Sequence, residues 1–121
     1  DFVWSTSALE HIGDREACEQ FVLKSAALLK PGGVAVHTSE INLSSNERTV
    51  EEPSFYLWTK ASIENLRNML RASGFSMSPL NFFPGDQPED QIVNNILKLG
   101  PVLKRFKRKL VYTSISFVIW R

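Results

Sequence analysis

The polar side chains placed to do chemistry fall in two short runs. Ser5-Thr6-Ser7 leads into Glu10-His11, and Thr38-Ser39-Glu40 closes a second apolar stretch. His11 is the natural proton acceptor, because an unperturbed imidazole titrates near neutrality. Glu10 beside it can orient the ring or meet a substrate directly. The plainer alternatives are a histidine that packs or caps its loop and a solvated glutamate. Thr38, Ser39 and Glu40 are candidate acceptor contacts, since ligands of open α/β sheets sit beyond the carboxyl ends of the strands. His37, one position earlier, reads as a satisfied histidine inside its strand.

The elements that must position these residues are legible around Leu28-Leu29-Lys30-Pro31-Gly32-Gly33-Val34. Proline clashes with a preceding helical turn and glycine tolerates positive φ, so the helix before Pro31 ends there. The apolar run Val34 to Thr38 then reads as a buried strand with a polar tip. Upstream, Asp14 can cap the helix, and Cys18, Phe21, Val22, Ser25, Leu28 and Leu29 recur at helical spacing as one core-facing stripe. Glu19, Gln20 and Lys24 fall on the wet side. Phe2-Val3-Trp4 looks like the inside of a buried strand, and a domain seldom opens there. The expectation is a fragment lacking an N-terminal part.

Downstream, Ser39 to Ser54 is a long polar connection of the kind that forms a lid or a mobile segment. Phe55-Tyr56-Leu57-Trp58 is an aromatic run, either a short core strand or a plug over a pocket, with Tyr56 and Trp58 as candidate substrate contacts. Thr59 suits an N-cap for a second helix that buries Ile63, Leu66, Met69 and Leu70, exposes Arg67 and Arg71, and stops at Gly74. Phe75 to Phe83 reads as a third strand broken by Pro79. Ile92 to Leu99 supports a short helix, and Leu110 to Trp120 alternates as an extended strand with Val111, Thr113, Ile115, Phe117 and Ile119 on one face. Two βα units followed by strands joined without a full crossover predict an antiparallel pair at one sheet edge.

The totals bound the function classes. A chain of 121 residues with 43% hydrophobic and 22% charged residues fits one globular domain. No apolar run approaches the roughly 20 residues of a membrane span, and no signal peptide is visible, so a cytoplasmic protein is expected. One cysteine excludes an internal disulfide and fits a reducing compartment, with Cys18 as inert packing. The net charge of +1 names no partner. Lys104, Arg105, Lys107, Arg108 and Lys109 form a basic cluster that suits phosphate, although a solvated loop is the plainer reading.

This order, with these words in it, resembles the C-terminal half of a class I S-adenosylmethionine-dependent methyltransferase. Asp1-Phe2-Val3-Trp4-Ser5 with Ala8-Leu9-Glu10-His11-Ile12 is similar to the family's fourth strand and the loop after it. Leu28-Leu29-Lys30-Pro31-Gly32-Gly33-Val34 resembles its turn into the fifth strand, and Leu70-Arg71-Ala72-Ser73-Gly74-Phe75 the helix end before the sixth. The resemblance implies a partial Rossmann-like α/β fold over residues 1–121, with parallel strands, helices and a C-terminal antiparallel strand pair. It also implies that the last strand inserts between the fifth and the sixth. The family's Gly-rich loop and ribose-binding acidic residue are absent, so the half that grips the cofactor is not in this chain.

The same resemblance implies S-adenosylmethionine as cofactor, with Ser5, Thr6 and Ser7 on its methionine side. His11, Glu10 and Glu40 are then the catalytic candidates, and Thr38, Ser39, Tyr56 and Trp58 the substrate contacts. The acceptor is expected to be a polar small molecule or glycan-related; nucleic acid is not the expected partner. Some relatives carry a Glu-x-x-Glu-His metal motif after the fourth strand. Glu10 and His11 match its end, but Ser7 stands where the first Glu belongs, so no metal is expected. The rival reading is a non-catalytic methyltransferase-like module that uses residues 104–109 for an anionic partner.

Overall fold

A computed structural model describes residues 1–91, 104–106 and 110–121. Its main sheet is mixed, in the order β1 (Phe2–Ser5), β2 (Val34–Asn42), β7 (Leu110–Trp120) and β5 (Ser76–Met77). β1 runs parallel to β2, while β7 lies between β2 and β5 and is antiparallel to both. β6 (Lys104–Phe106) flanks the other end of β7, pairing Lys104 with Tyr112. A two-stranded ribbon of β3 (Glu51–Glu52) and β4 (Phe55–Tyr56) stands apart. The domain is thus a small α/β unit with, among the described residues, two α-helices, α1 (Arg15–Ala27) and α2 (Lys60–Ala72). The short helix expected over 92–99 lies outside the described residues.

Both helices begin where their caps dictate. Asp14 Oδ1 accepts the Ala17 backbone N–H at 2.9 Å. Thr59 and Ser62 form a reciprocal box, each side chain accepting the other's backbone N–H, at 3.0 and 2.9 Å. α1 ends three residues before the expected Lys30, with Leu28 as its C-cap. Leu28 has therefore left the stripe and is 74% exposed, while Leu29 turns inward. Gly32 takes φ 78, which only glycine adopts cheaply. Gly33 is required for space, since a Cβ there would stand 2.9 Å from the Lys30 carbonyl oxygen.

The core forms on one face of the sheet. Ala35, Ile41, Ile115, Phe117 and Ile119 meet Cys18, Val22, Ala26 and Leu29 of the α1 segment and Ile63, Leu66 and Leu70 of α2. Phe117, Ile119 and Ile115 confirm the expected alternation of β7. Glu19, expected on the wet side, is buried where α2 packs and accepts from Asn65 Nδ2 at 3.2 Å. Arg67 also leaves its expected exposed face and reaches the Ser78 carbonyl at 3.1 Å.

The opposite face has no helix over it among the described residues. Phe2, Val34 and Trp120 line up across three strands there, followed by Trp4, Val36 and Val118. Phe2 and Trp4 are 64% and 67% exposed. Among the described residues β1 is an edge strand with two bared aromatic rings. The third strand is also shorter than expected. Only Ser76 and Met77 form strand, followed by one further bond from the Ser78 N–H to the Val118 carbonyl at 2.9 Å, one residue before Pro79.

Candidate functional site

The carboxyl end of β1 is built from three consecutive polar residues. Ser5 closes the strand, Thr6 is exposed, and Ser7 turns the chain at φ 47. That left-handed conformation costs a non-glycine residue about 1 kcal/mol and needs support. Thr38 supplies it, its Oγ1 accepting the Ser7 backbone N–H at 3.0 Å. Beneath this turn Ser5 Oγ is 2.8 Å from His37 Nδ1, and His37 Nε2 is 2.8 Å from Ser25 Oγ. His37 has no exposed surface, and burial holds its pKa below the usual imidazole range. The chain of groups Ser5, His37 and Ser25 ties β1, β2 and α1 together.

Glu10 and His11 follow in a single 3₁₀ turn, Leu9–His11, which points them in different directions. Glu10 is 2% exposed, and its Oε2 accepts the Ser39 hydroxyl at 3.0 Å. His11 is exposed, and its Nδ1 lies 3.0 Å from the Ser54 carbonyl oxygen. A carbonyl only accepts, so Nδ1 carries a proton, and in the neutral ring Nε2 keeps its lone pair. The ring leans on Phe55 with centroids 5.6 Å apart. Glu10 therefore does not orient His11; the β3–β4 ribbon does.

Thr38, Ser39 and Glu40 do not form the polar tip expected of them. β2 continues to Asn42, because β7 pairs with it as far as Tyr112. The three residues sit inside the strand and alternate across it. Ser39 faces the helices and Glu10, whereas Thr38 and Glu40 lie on the opposite face, Glu40 buried there. Glu40 Oε1 accepts from Ser114 Oγ of β7 at 3.4 Å. The structure thus joins Ser39 with Glu10 and Ser7 with Thr38, and places Glu40 on the sheet face opposite His37.

The expected lid, Ser39 to Ser54, is a tethered segment. Asn42 Nδ2 donates to the Arg48 carbonyl at 2.7 Å, and Leu57 N–H reaches the Val50 carbonyl at 3.0 Å. Leu43 N–H pairs with the Val111 carbonyl at 2.9 Å. Tyr56 and Trp58 are 1% and 0% exposed. Trp58 is a core residue, its ring edge-on to Tyr56 and Phe117 at 5.3 and 5.4 Å. Tyr56 borders a polar hollow shared with Arg15, Thr49, Glu51, Thr59 and Asn65, and burial pushes its phenol up to about 12. Cys18 is fully buried, donates its thiol to the Leu9 carbonyl at 3.0 Å, and is pushed by burial up to about 11, which suppresses thiolate chemistry.

His37 and Ser25 form the arrangement that spacing alone misses, a serine in an apolar helical stripe facing a histidine inside a strand. The signal was the polarity of Ser25 within that stripe. Of the basic cluster, Lys104 and Arg105 lie on β6, and 107–109 fall outside the described residues. Among the described residues no group of three His, Cys, Asp or Glu side chains is placed to hold a metal. Nor is any helix among them long and apolar enough to cross a membrane. No family model matches the chain, and no curated protein matches it.

Proposed function

We propose that the chain is the acceptor-side half of a class I S-adenosylmethionine-dependent methyltransferase acting on a polar small-molecule or glycan-related acceptor. The strand order carries this reading. β7 enters between β2 and β5, antiparallel to both, while β1 and β2 run parallel. That is the insertion which the motifs around Ser5, Gly33 and Gly74 imply. The end of β1 also fits the cofactor's zwitterionic end, because Thr6 and Ser7 offer exposed polar groups on a backbone turned at φ 47.

The cofactor, when bound, supplies an electrophilic methyl group on sulfur. The chain's part is to align the acceptor and take its proton. His11 suits the second task, since Ser54 fixes Nδ1–H and leaves Nε2 as the basic nitrogen. Ser5, Thr6 and Ser7 hold the methionine side. Glu10 keeps the loop in register through Ser39 rather than touching the reacting atoms.

The test is to produce the protein together with its upstream coding region. S-adenosylhomocysteine binding is then measured by calorimetry, and transfer from isotope-labelled S-adenosylmethionine by product counting. The expected result is an upstream strand ending in a Gly-x-Gly type loop and saturable binding. An upstream region without such a loop, combined with no binding, overturns the proposal.

A further inference from the structure

Both ring nitrogens of the buried His37 meet serines, and the direction of each hydrogen bond follows from proton counting. Ser25 has one hydroxyl proton, and the Val22 carbonyl 2.8 Å away can only accept it. Towards His37 Nε2, Ser25 Oγ must therefore accept, so Nε2 carries the ring proton. A neutral imidazole has one N–H, so Nδ1 is bare and takes the Ser5 hydroxyl proton. The surroundings keep the ring neutral. Its neighbours are Ser5 of β1, Phe21 and Ser25 of α1 and Phe117 opposite it on β7, none of them charged.

We propose that Ser25 and His37 are positioning residues that commit the Ser5 proton inward. The Ser5 oxygen is thereby left as an acceptor at the end of β1, and this subsite selects a ligand group bearing N–H or O–H, an ammonium above all. Ser5 is only half-buried, whereas His37 and Ser25 lie behind it in the core. A cationic donor makes the stronger bond to such an oxygen. The preference reverses in acid. Protonation puts a hydrogen on Nδ1, Ser5 must then accept from it, and the Ser5 proton turns outward. The ligand's identity rests on the methyl-transfer reading; the proton order does not.

Long-range ¹H–¹⁵N spectra of the labelled chain at neutral pH read the tautomer directly. The expected pattern is a protonated Nε2 and a bare Nδ1, with the preference weakened in Ser25→Ala. A ring protonated at Nδ1 alone, or at both nitrogens, overturns the proposal. In the full-length protein, S-adenosylhomocysteine is expected to bind about tenfold more tightly than its deaminated analogue, as a charge-assisted bond warrants. That gap closes in Ser5→Ala and narrows in Ser25→Ala. Equal affinities in the unmutated protein overturn the assignment of Ser5. If neither ligand binds, the methyl-transfer reading and the ligand assignment fall together, while the spectra still decide the proton order.

Discussion

Trp58 offers a perturbation whose size can be worked out from its surroundings. The side chain has no exposed surface and lies between Tyr56 and Phe117 in edge-on contact with both. Its indole Nε1 meets no hydrogen-bond partner among the described residues. Truncation to alanine removes a whole aromatic side chain from a closed core, at about 3–5 kcal/mol. The two ring contacts add about 0.5–1.5 kcal/mol each, partly counted already in the burial. Trp58→Phe behaves differently. It loses two ring carbons, about 1.6 kcal/mol at methylene rates, and also removes a buried donor that costs about 1–3 kcal/mol unpaired. The two terms nearly cancel, so Trp58→Phe is expected within about 1 kcal/mol of the unmutated chain. For a domain of 121 residues, Trp58→Ala should lower Tm by about 15 °C. Urea and thermal melts followed by circular dichroism measure both. If Trp58→Ala costs less than about 1 kcal/mol, or Trp58→Phe costs as much as alanine, the core role of Trp58 is refuted.

Three further outcomes rest on the same geometry. His37 is held below its usual pKa by burial, so the folded state binds fewer protons than the unfolded one. Its contribution is complete above the unfolded value near 6.5 and is lost as pH falls through the lowered folded value. Urea midpoints measured downward from pH 7.5 should decline, and less steeply in His37→Gln; a flat profile in the unmutated chain counts against the buried neutral ring. His11→Ala should leave Tm nearly unchanged, because the ring is exposed, yet on the proposed methyl-transfer function cut turnover by about 10²–10⁴-fold. Full turnover in that variant excludes His11 as the base. Gly33→Ala drives a Cβ to 2.9 Å from the Lys30 carbonyl and should cost about 1–3 kcal/mol by chemical denaturation, with an unchanged midpoint showing that the turn can yield.

The parts of the fold legible in the sequence are those set by neighbouring residues. Asp14 and Thr59 cap their helices through bonds spanning three positions, and β7 declares its two faces by strict alternation. The parts that escape a sequence reading depend on partners distant in the chain. Thr38 to Asn42 look like a polar exit from a strand, and only pairing with Ser116 to Tyr112 turns them into strand interior. Ile41, continuing the alternation of Ala35 and His37, was the local hint. Glu19 looks solvated until Asn65 of α2 covers it. The candidate site divides in the same way. His11 and Ser5 to Ser7 are visible as residues, but the Ser54 carbonyl that sets the His11 tautomer and the Ser25 hydroxyl behind His37 are known only from the folded chain.

The central place of β7 governs the order in which the molecule can assemble. Val34 pairs with Trp120 and Asn42 with Tyr112, so the longest ladder joins segments some 70 to 86 residues apart. β1, β2 and β5 are all synthesised before the strand that unites them. Until it arrives, β2 has beside it among the described residues only the short β1 and a parallel bridge from Ile41 to Trp58, and β5 has no strand partner at all. Such distant pairing is slow, because the chain must close a long loop before any ladder bond compensates for the lost freedom. The nascent chain therefore passes through an interval in which β2 presents an open hydrogen-bonding edge, and in that interval it is most exposed to mispairing with another copy.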